Sequence, residues 1–283
     1  MGRKFTKIDP ESNGVATRFS EASACAVGVG EGSIWAIPFG LGSHDVRRLD
    51  PSTGKIVARI HGIVPGGFPY IIAWPTVGEG SVWIYAGGKV LRLDPKTNRV
   101  LATIPTVGTL GIIAVGERAV WVLEKTSVWP KAEGLVSQVD PSDNHLVGTA
   151  HLGYGAFSIA VGEGAVWVAQ AEAGSGNDLT RGKLLRIDPK SLRIVRAIPL
   201  FDTPNAIAVA AGSVWVGSAF GPILRVDPKI NQVVESLGRS CLGSSGGGLV
   251  VGAGALWIGQ FRGCVQRIDL QDFTVDRNQP ASE

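Results

Sequence analysis

Four side chains of this sequence have the chemistry that acid–base catalysis requires. Imidazole accepts and returns a proton near neutral pH, so His44, His61 and His151 are candidate general bases. Glu124, three residues after Trp121, is a candidate acid or base, and such carboxylates could also hold a divalent metal. These four residues form the candidate catalytic set, and we assign no metal ligands.

A second set of aromatic, carboxylate and amide side chains suits the recognition of a ligand. Pockets are lined by apolar and aromatic groups with a few placed polar groups, and the set contains both types. Its members are Tyr70, Glu124, Phe157, Gln170, Asn205 and Gln260. The sequence has no phosphate-binding loop, HExxH motif or GxSxG nucleophile elbow, which argues against the enzyme classes that depend on them.

The three cysteines exclude two further kinds of site. Cys25, Cys241 and Cys264 lack CxxC spacing, so a zinc ribbon and a dithiol redox motif are excluded. We expect free thiols, although Cys241 and Cys264 fall in two connections of the last repeat and a disulfide between them stays open.

An internal repeat supplies the elements that must position these residues. A segment that ends in an apolar residue and Asp, followed by Pro in all copies but the last, recurs at steps of 41, 44, 46, 48, 39 and 42 residues. A Gly-rich turn and a strand with a central Trp alternate with it. The aspartates are Asp9, Asp50, Asp94, Asp140, Asp188, Asp227 and Asp269, and the tryptophans are Trp35, Trp83, Trp121, Trp167, Trp215 and Trp257.

Each repeat is interpreted as four antiparallel strands, which we name a to d. In the fourth copy these are residues 157–161, 165–170, 183–187 and 193–198. A four-stranded unit at this period is a propeller blade. The repeated Trp residues and Asp50, Asp94, Asp140, Asp188 and Asp227 are assigned structural roles, since Trp can pack one blade on the next and Asp-Pro begins a turn.

Composition limits the class of protein and its partners. The 283 residues include 39 Gly and 16 Pro, which indicates many short strands and excludes an all-helical fold. With 45% apolar and 18% charged residues, the chain is far from the composition of a disordered protein. The net charge of +3 is spread along the sequence and no apolar run is long enough to span a bilayer, so we expect neither nucleic-acid binding nor a membrane span. We expect a monomer.

The two ends of the blades differ in variability. The a–b and c–d turns are short and alike and share one end, whereas the b–c and d–a connections share the other end and vary. Binding residues concentrate on loops that a rigid scaffold holds, so function is expected at the variable end.

The domain organisation follows from the repeat. We predict a single domain over 1–283, with a half blade at 1–20 and full blades at 21–62, 63–105, 106–152, 153–200, 201–238 and 239–278. This is a seven-bladed ring with an incomplete N-terminal blade, and a six-bladed ring is the alternative. The first residues do not form a signal peptide, which predicts a cytoplasmic protein, or an extracytoplasmic one if the sequence is part of a longer chain.

Three motifs carry a resemblance to known families. Ile207-Ala-Val209, Gly-Ser-Val-Trp215-Val and Ile-Leu-Arg-Val-Asp227-Pro-Lys resemble the bacterial YVTN-type β-propeller proteins and the related streptogramin (virginiamycin B) lyase superfamily. The resemblance implies a seven-bladed propeller. For the lyase it also implies a Mg²⁺-assisted elimination that opens a macrocyclic ester with His and Glu. Glu124 matches the glutamate position, whereas the histidine position holds Asn205.

Two functions follow from these observations. The first is a binding module that presents its variable end to a small ligand, a glycan or a protein partner, with no required cofactor. The alternative is a lyase-like or hydrolytic enzyme with a divalent metal such as Mg²⁺, and the sequence leaves open whether the protein is an enzyme.

Overall fold

The described part of the chain is built from β-strands alone. The structure is a computed structural model, and it describes residues 5–19, 26–38, 45–63, 74–126, 132–172, 181–218, 221–239, 247–260, 265–273 and 275–278. The all-β prediction is confirmed. The chain divides into two compact units, Met1–Thr149 and Ala150–Glu283. The prediction of one domain with the blade boundaries given above stays a prediction.

The strands of the first unit form a hairpin and three four-stranded sheets. The hairpin is β1 (Phe5–Ile8) and β2 (Val15–Phe19). The first blade is β3 (Ala26–Gly30), β4 (Ser33–Ile37), β5 (Val46–Leu49) and β6 (Ile56–Ile60), and the second is β7 (Thr76–Gly78), β8 (Ser81–Tyr85), β9 (Lys89–Leu93) and β10 (Val100–Pro105). The third is β11 (Leu110–Gly116), β12 (Ala119–Lys125), β13 (Glu133–Asp140) and β14 (His145–Tyr154), whose last residues lie in the second unit.

The second unit adds three more four-stranded sheets. The fourth blade is β15 (Ala156–Gly162), β16 (Ala165–Ala171), β17 (Gly182–Ile187) and β18 (Ile194–Leu200). The fifth is β19 (Pro204–Ala210), β20 (Ser213–Ser218), β21 (Pro222–Asp227) and β22 (Gln232–Arg239). The sixth is β23 (Gly247–Gly252), β24 (Ala255–Gln260), β25 (Val265–Asp269) and β26 (Val275–Asn278).

The predicted a-to-d strand order holds in all six blades. Each is a meander in which consecutive strands pair. The first strands of consecutive blades pack together, β3 with β7 and β7 with β11 in one unit, and β15 with β19 and β19 with β23 in the other. This is the arrangement of a β-propeller, which confirms the predicted fold class. Among the described residues the four-stranded blades number six, as the six-bladed alternative states.

The N-terminal hairpin does not complete a seventh blade in the described structure. β1 and β2 form a two-stranded sheet of their own. Its apolar residues pack on the first blade: Phe5 lies against the Ala36–Leu49 cluster, and Phe19 is buried against Gly54, where a Cβ would come within 2.0 Å of the Phe19 ring. Side-chain packing on the first blade therefore holds the hairpin without strand pairing to that blade.

Within each unit, repeated tryptophans pack one blade against the next one in the chain. Trp35 lies with Val82 and Ile84 of the second blade, and Trp167 with Val214 and Val216 of the fifth. Five of the six tryptophans have no exposed surface. Trp257 of the sixth blade is half-buried, which departs from the equal burial that the repeat predicts, and no blade follows it in the second unit.

An arginine two residues before the turn aspartate clamps the tryptophan to the neighbouring blade. Arg186 lies over the Trp167 ring at 5.3 Å, and its Nη1 donates to Pro228 O at 2.7 Å and Asn231 Oδ1 at 2.8 Å. Arg92 makes the same set of contacts, with Trp83 and the turn that ends in Asn144. In the second and fourth blades the arginine therefore joins two blades, a role that the sequence did not indicate, whereas Arg225 pairs with Glu235 of its own blade.

Aspartates begin the c–d turns. Asp50 Oδ1 accepts the backbone N–H groups of Ser52 and Thr53, and Asp188 does the same for Lys190 and Ser191. The turn is longer than a type I turn, since the fifth residue donates its N–H to the aspartate carbonyl and has a positive φ. Asn98, Asn144 and Asn231 hold this fifth position, and asparagine tolerates that conformation well.

Candidate ligand-binding site

We call the end of a blade with the a–b and c–d hairpins the turn end, and the end with the b–c and d–a connections the connection end. The a–b hairpins are two-residue turns with positive φ at both residues, as in Glu163-Gly164, which is the type I′ geometry. The turn end is therefore built from the same local geometry in each blade. Among the described residues, Glu124, Phe157, Gln170 and Asn205 of the predicted sets lie near the connection end.

Glu124 is the second-last residue of β12, and its carboxylate is completely buried. Oε1 accepts from the Gly108 N–H at 3.1 Å and from the Tyr85 hydroxyl at 3.1 Å, and Oε2 accepts from the Ser137 hydroxyl at 2.7 Å. These donors come from β8, β13 and the connection between β10 and β11. The carboxylate therefore joins the second and third blades, and solvent does not reach it.

Tyr85 completes this network. Its hydroxyl is also 2.8 Å from Gly108 O, and burial raises its pKa, with the Glu124 carboxylate adding to the rise. A Mg²⁺ site needs carboxylate oxygens open to an ion and to water. Both Glu124 oxygens already face hydrogen-bond donors, so Glu124 does not fit the Mg²⁺ role that the lyase resemblance implies.

Gln170 holds the equivalent place in the fourth blade and is 3% exposed. Its Nε2 donates to Leu152 O at 2.8 Å and Tyr154 O at 2.6 Å, which fixes the end of β14 just before the chain enters β15. Its Oε1 is buried and has no hydrogen-bond partner. The Gln170 amide nitrogen therefore stabilises the local backbone, while the amide oxygen accepts no hydrogen bond.

Phe157 and Asn205 are the extra residues of two β-bulges. The β15–β16 register shifts between Ala156 and Ser158, and the β19–β20 register shifts between Pro204 and Ala206. A bulge re-aims a side chain, and bulges are frequent beside functional sites. Phe157 and Asn205 are both half-buried, and the Asn205 Oδ1 atom is buried without a hydrogen-bond partner.

The segment that leads into Asn205 is rigidly held. Asp202 Oδ1 accepts the Thr203 N–H at 2.7 Å, and Asp202 Oδ2 lies so close to Gly221 that a Cβ there would come within 2.0 Å of it. At Gly182 a Cβ would lie 2.3 Å from Pro204 Cδ. The 202–205 segment therefore fits only because glycine stands at two positions, Gly182 at the start of β17 and Gly221 just before β21.

The two predicted histidines that the structure describes, His61 and His151, are exposed, whereas Glu124 is buried. His61 Nδ1 lies 2.9 Å from Asp45 Oδ1, and its side chain is 74% exposed. His151 is exposed on β14. His44 and Tyr70 lie outside the described residues, as do Cys25, Cys241 and Cys264, and the Gln260 side chain is not described. The predicted site residues stay predictions.

Three residues that the sequence reasoning missed belong to these networks. Tyr85 and Ser137 bind Glu124, and Thr203 has a buried Oγ1 atom without a partner. Tyr85 could have been found, since it is the only aromatic residue two places after a repeat tryptophan. Ser137 and Thr203 have no sequence signal that distinguishes them from ordinary strand and loop residues.

Ligand-type side chains also cluster at the turn end. Asp140, Asp143 and His145 place one ligand atom each within 4.8 Å of the others. The Asp140 carboxylate accepts the Ser142 N–H, and His145 bonds Asp143, which raises the His145 pKa. The groups satisfy one another in an exposed turn, and we assign no metal to them.

Comparison with known proteins supports the fold. No protein-family model and no curated protein matches the chain. The chain is similar to hydrazine synthase of Kuenenia stuttgartiensis, with 12% identity, a TM-score of 0.66 and coverage of 99% of this chain and 90% of that one. It is similar to the computationally designed Ika8 protein, with 13% identity, a TM-score of 0.65 and coverage of 94% and 78%. It also resembles apo AztD of Citrobacter koseri, with 13% identity, a TM-score of 0.60 and coverage of 98% and 91%.

At these identities the likeness concerns the fold and not the activity. The YVTN and virginiamycin B lyase resemblance is therefore supported only at the level of the β-propeller. Among the described residues, no helix has the length and apolar character to cross a membrane.

Proposed function

We propose that this protein is a β-propeller binding module that takes its ligand at the connection end. The observation that carries the proposal is the pair of bulges at the starts of β15 and β19, which set Phe157 and Asn205 apart from the regular strand positions around them. In a regular strand, Phe157 and Asn205 would each pair with a residue of the next strand, as their neighbours do. The bulges add one aromatic and one amide side chain, which are the groups that orient a ligand in a pocket.

The buried polar groups support binding more than catalysis. The Glu124 carboxylate accepts hydrogen bonds from three donors, Tyr85, Gly108 and Ser137. It could take a proton from a substrate only if some of these hydrogen bonds were broken. Gln170 and Asn205 are amides, which neither gain nor lose a proton near neutral pH. The ligand-binding set therefore offers hydrogen bonds and apolar surface.

A thermal-shift screen of soluble metabolites tests the proposal. We expect at least one compound to raise the melting temperature of the wild-type protein and to bind about tenfold or more weakly to a Phe157→Ala/Asn205→Ala variant. Lys190→Ala, an exposed change at the turn end, is the matched control and keeps the affinity. Equal binding by all three proteins would refute the placement at the bulges.

A metal-assisted lyase or hydrolase is the second candidate, and one contact favours it. Asp45 holds the imidazole of His61 at 2.9 Å while most of that side chain stays exposed, which is how a carboxylate orients a general base. Mass spectrometry of a macrocyclic ester incubated with protein and Mg²⁺ would detect ring opening. Turnover that His61→Gln abolishes would favour the enzyme, and its absence in the wild type would count against it.

A further inference from the structure

We infer that the segment 201–205 is a saccharide subsite, a proposal that rests on the binding function above. Two buried acceptors without partners stand here two residues apart, Thr203 Oγ1 and Asn205 Oδ1. A buried polar atom without a partner costs about 1–3 kcal/mol, and native proteins contain few of them. A ligand that supplies the missing hydrogen bonds accounts for both atoms at once.

The frame around these atoms is preorganised. Asp202 caps the Thr203 N–H, Pro204 pairs with Ser218 across the β19–β20 ladder, and Gly182 lets Pro204 pack against the fourth blade. Because packing and pairing already hold the segment, it cannot easily move to satisfy the two oxygens itself. Both oxygens are buried, so a ligand reaches them only where a neighbouring side chain turns aside while this backbone keeps its place.

The adjacent aromatic residue gives the ligand an apolar face. Phe201 is 95% exposed, an unusual state for a phenylalanine, and it lies two residues before Thr203, so their Cα atoms are at most about 7 Å apart. The face of an aromatic ring is electron-rich and attracts polarised C–H groups. A pyranose presents such C–H groups on one face and hydroxyls around its edge.

The charges near this segment favour a neutral ligand. One oxygen of the Asp202 carboxylate accepts the backbone N–H of Thr203, and Lys183 pairs with Glu172 at 3.6 Å. A sugar hydroxyl can both donate and accept, so it suits the Thr203 hydroxyl and either atom of the Asn205 amide. A neutral sugar thus matches the ring, the acceptors and the charge.

Saturation-transfer NMR tests the subsite directly. The probes are the methyl glycosides of glucose, galactose, mannose and N-acetylglucosamine, with cellobiose and maltose, at millimolar concentration. We expect transfer to the ring C–H protons of at least one probe. Phe201→Ala should abolish it, and Thr203→Val and Asn205→Ala should each weaken binding about 2- to 10-fold. Tyr154→Ala, which removes another exposed aromatic residue of the same unit, is the matched control and should not change it.

The outcomes separate this inference from the binding function. Thermal unfolding of each variant first verifies that it folds. No transfer from any of the six sugars, or transfer that survives all three subsite changes, overturns the saccharide subsite. If the metabolite screen still yields a ligand that depends on Phe157 and Asn205, the binding function stands without it; if both experiments fail, both proposals fall. A crystal soaked with the best probe that holds only ordered water at Thr203 Oγ1 and Asn205 Oδ1 also overturns the subsite.

Discussion

The two ends of the blades use their polar groups in opposite ways. At the turn end, Arg186 donates to the turn of the next blade, and aspartates such as Asp188 and Asp50 accept N–H groups of their own turns. At the connection end, Gln170, Thr203 and Asn205 each keep a buried oxygen without a partner. One end of the repeat is saturated and builds the scaffold, whereas the other retains hydrogen-bonding capacity that a ligand can use.

Removing a tryptophan should produce the largest contrast between the ends. Trp167 is fully buried against the fifth blade, and its Nε1 donates to Gly162 O at 3.0 Å in the a–b hairpin. We expect Trp167→Ala to lower the free energy of unfolding by about 3–5 kcal/mol through the cavity it leaves. Phe157→Ala, at the half-buried bulge, should cost less than half as much. Urea denaturation measures the free energy of unfolding of both variants. Equal losses would contradict the assignment of scaffold and binding roles to the two ends of the blades.

The arginine clamp is expected to give the next largest effect. Arg186→Ala removes two hydrogen bonds to the next blade and the contact with the Trp167 ring. The expected loss of unfolding free energy is about 1.5–3 kcal/mol, since these bonds involve a charged donor. Arg193→Ala, an exposed change in the same blade, should alter stability by less than about 0.5 kcal/mol. A similar loss in both variants would show that the clamp contributes little.

The blades could be predicted from the sequence because their signals are local. Asp-Pro turns, Gly-rich hairpins and a central Trp each occupy a few consecutive residues, and their period alone gives the four-stranded unit. The bulges could not be predicted, since Phe157 and Asn205 become extra residues only through the register of one strand on another. The role of Glu124 was also hidden, because its partners Tyr85, Gly108 and Ser137 come from three separate segments.

Two hydroxyl deletions compare the ends more finely. Thr203→Val removes a buried oxygen that has no partner, so the free energy of unfolding should stay unchanged or rise by up to about 1 kcal/mol. Ser191→Ala removes a hydroxyl that donates to Asp188 Oδ1 at 2.8 Å, and should lower the free energy of unfolding slightly. Changes of opposite sign in the free energy of unfolding of these two variants would support the difference between the two ends of the blades. A clear loss in Thr203→Val would mean that the hydroxyl is already satisfied in the ligand-free protein.

The smallest expected effect is the acid response of the turn end. Hydrogen bonds from the Ser52 hydroxyl and from the N–H and hydroxyl of Thr53 lower the pKa of Asp50 from 3.8 to about 2. A carboxyl whose pKa is lower in the folded than in the unfolded chain adds stability above the unfolded value and loses it as the pH falls through the folded value. Asp9, Asp94, Asp140 and Asp188 are shifted in the same direction.

The turns should therefore lose stability between about pH 4 and pH 2, and Asp50 can be followed by carbon-detected NMR titration of its carboxyl. We expect a pKa of about 2 for Asp50 in the wild type. Ser52→Ala, which removes the largest cause of the shift, should move the value back toward the ordinary range. Asp50→Asn keeps an oxygen that can accept the same bonds but cannot titrate, so it should flatten the acid response with little change near neutral pH. An Asp50 titration above about pH 3.5 in the wild type would show that the turn does not hold its carboxylate as the geometry requires.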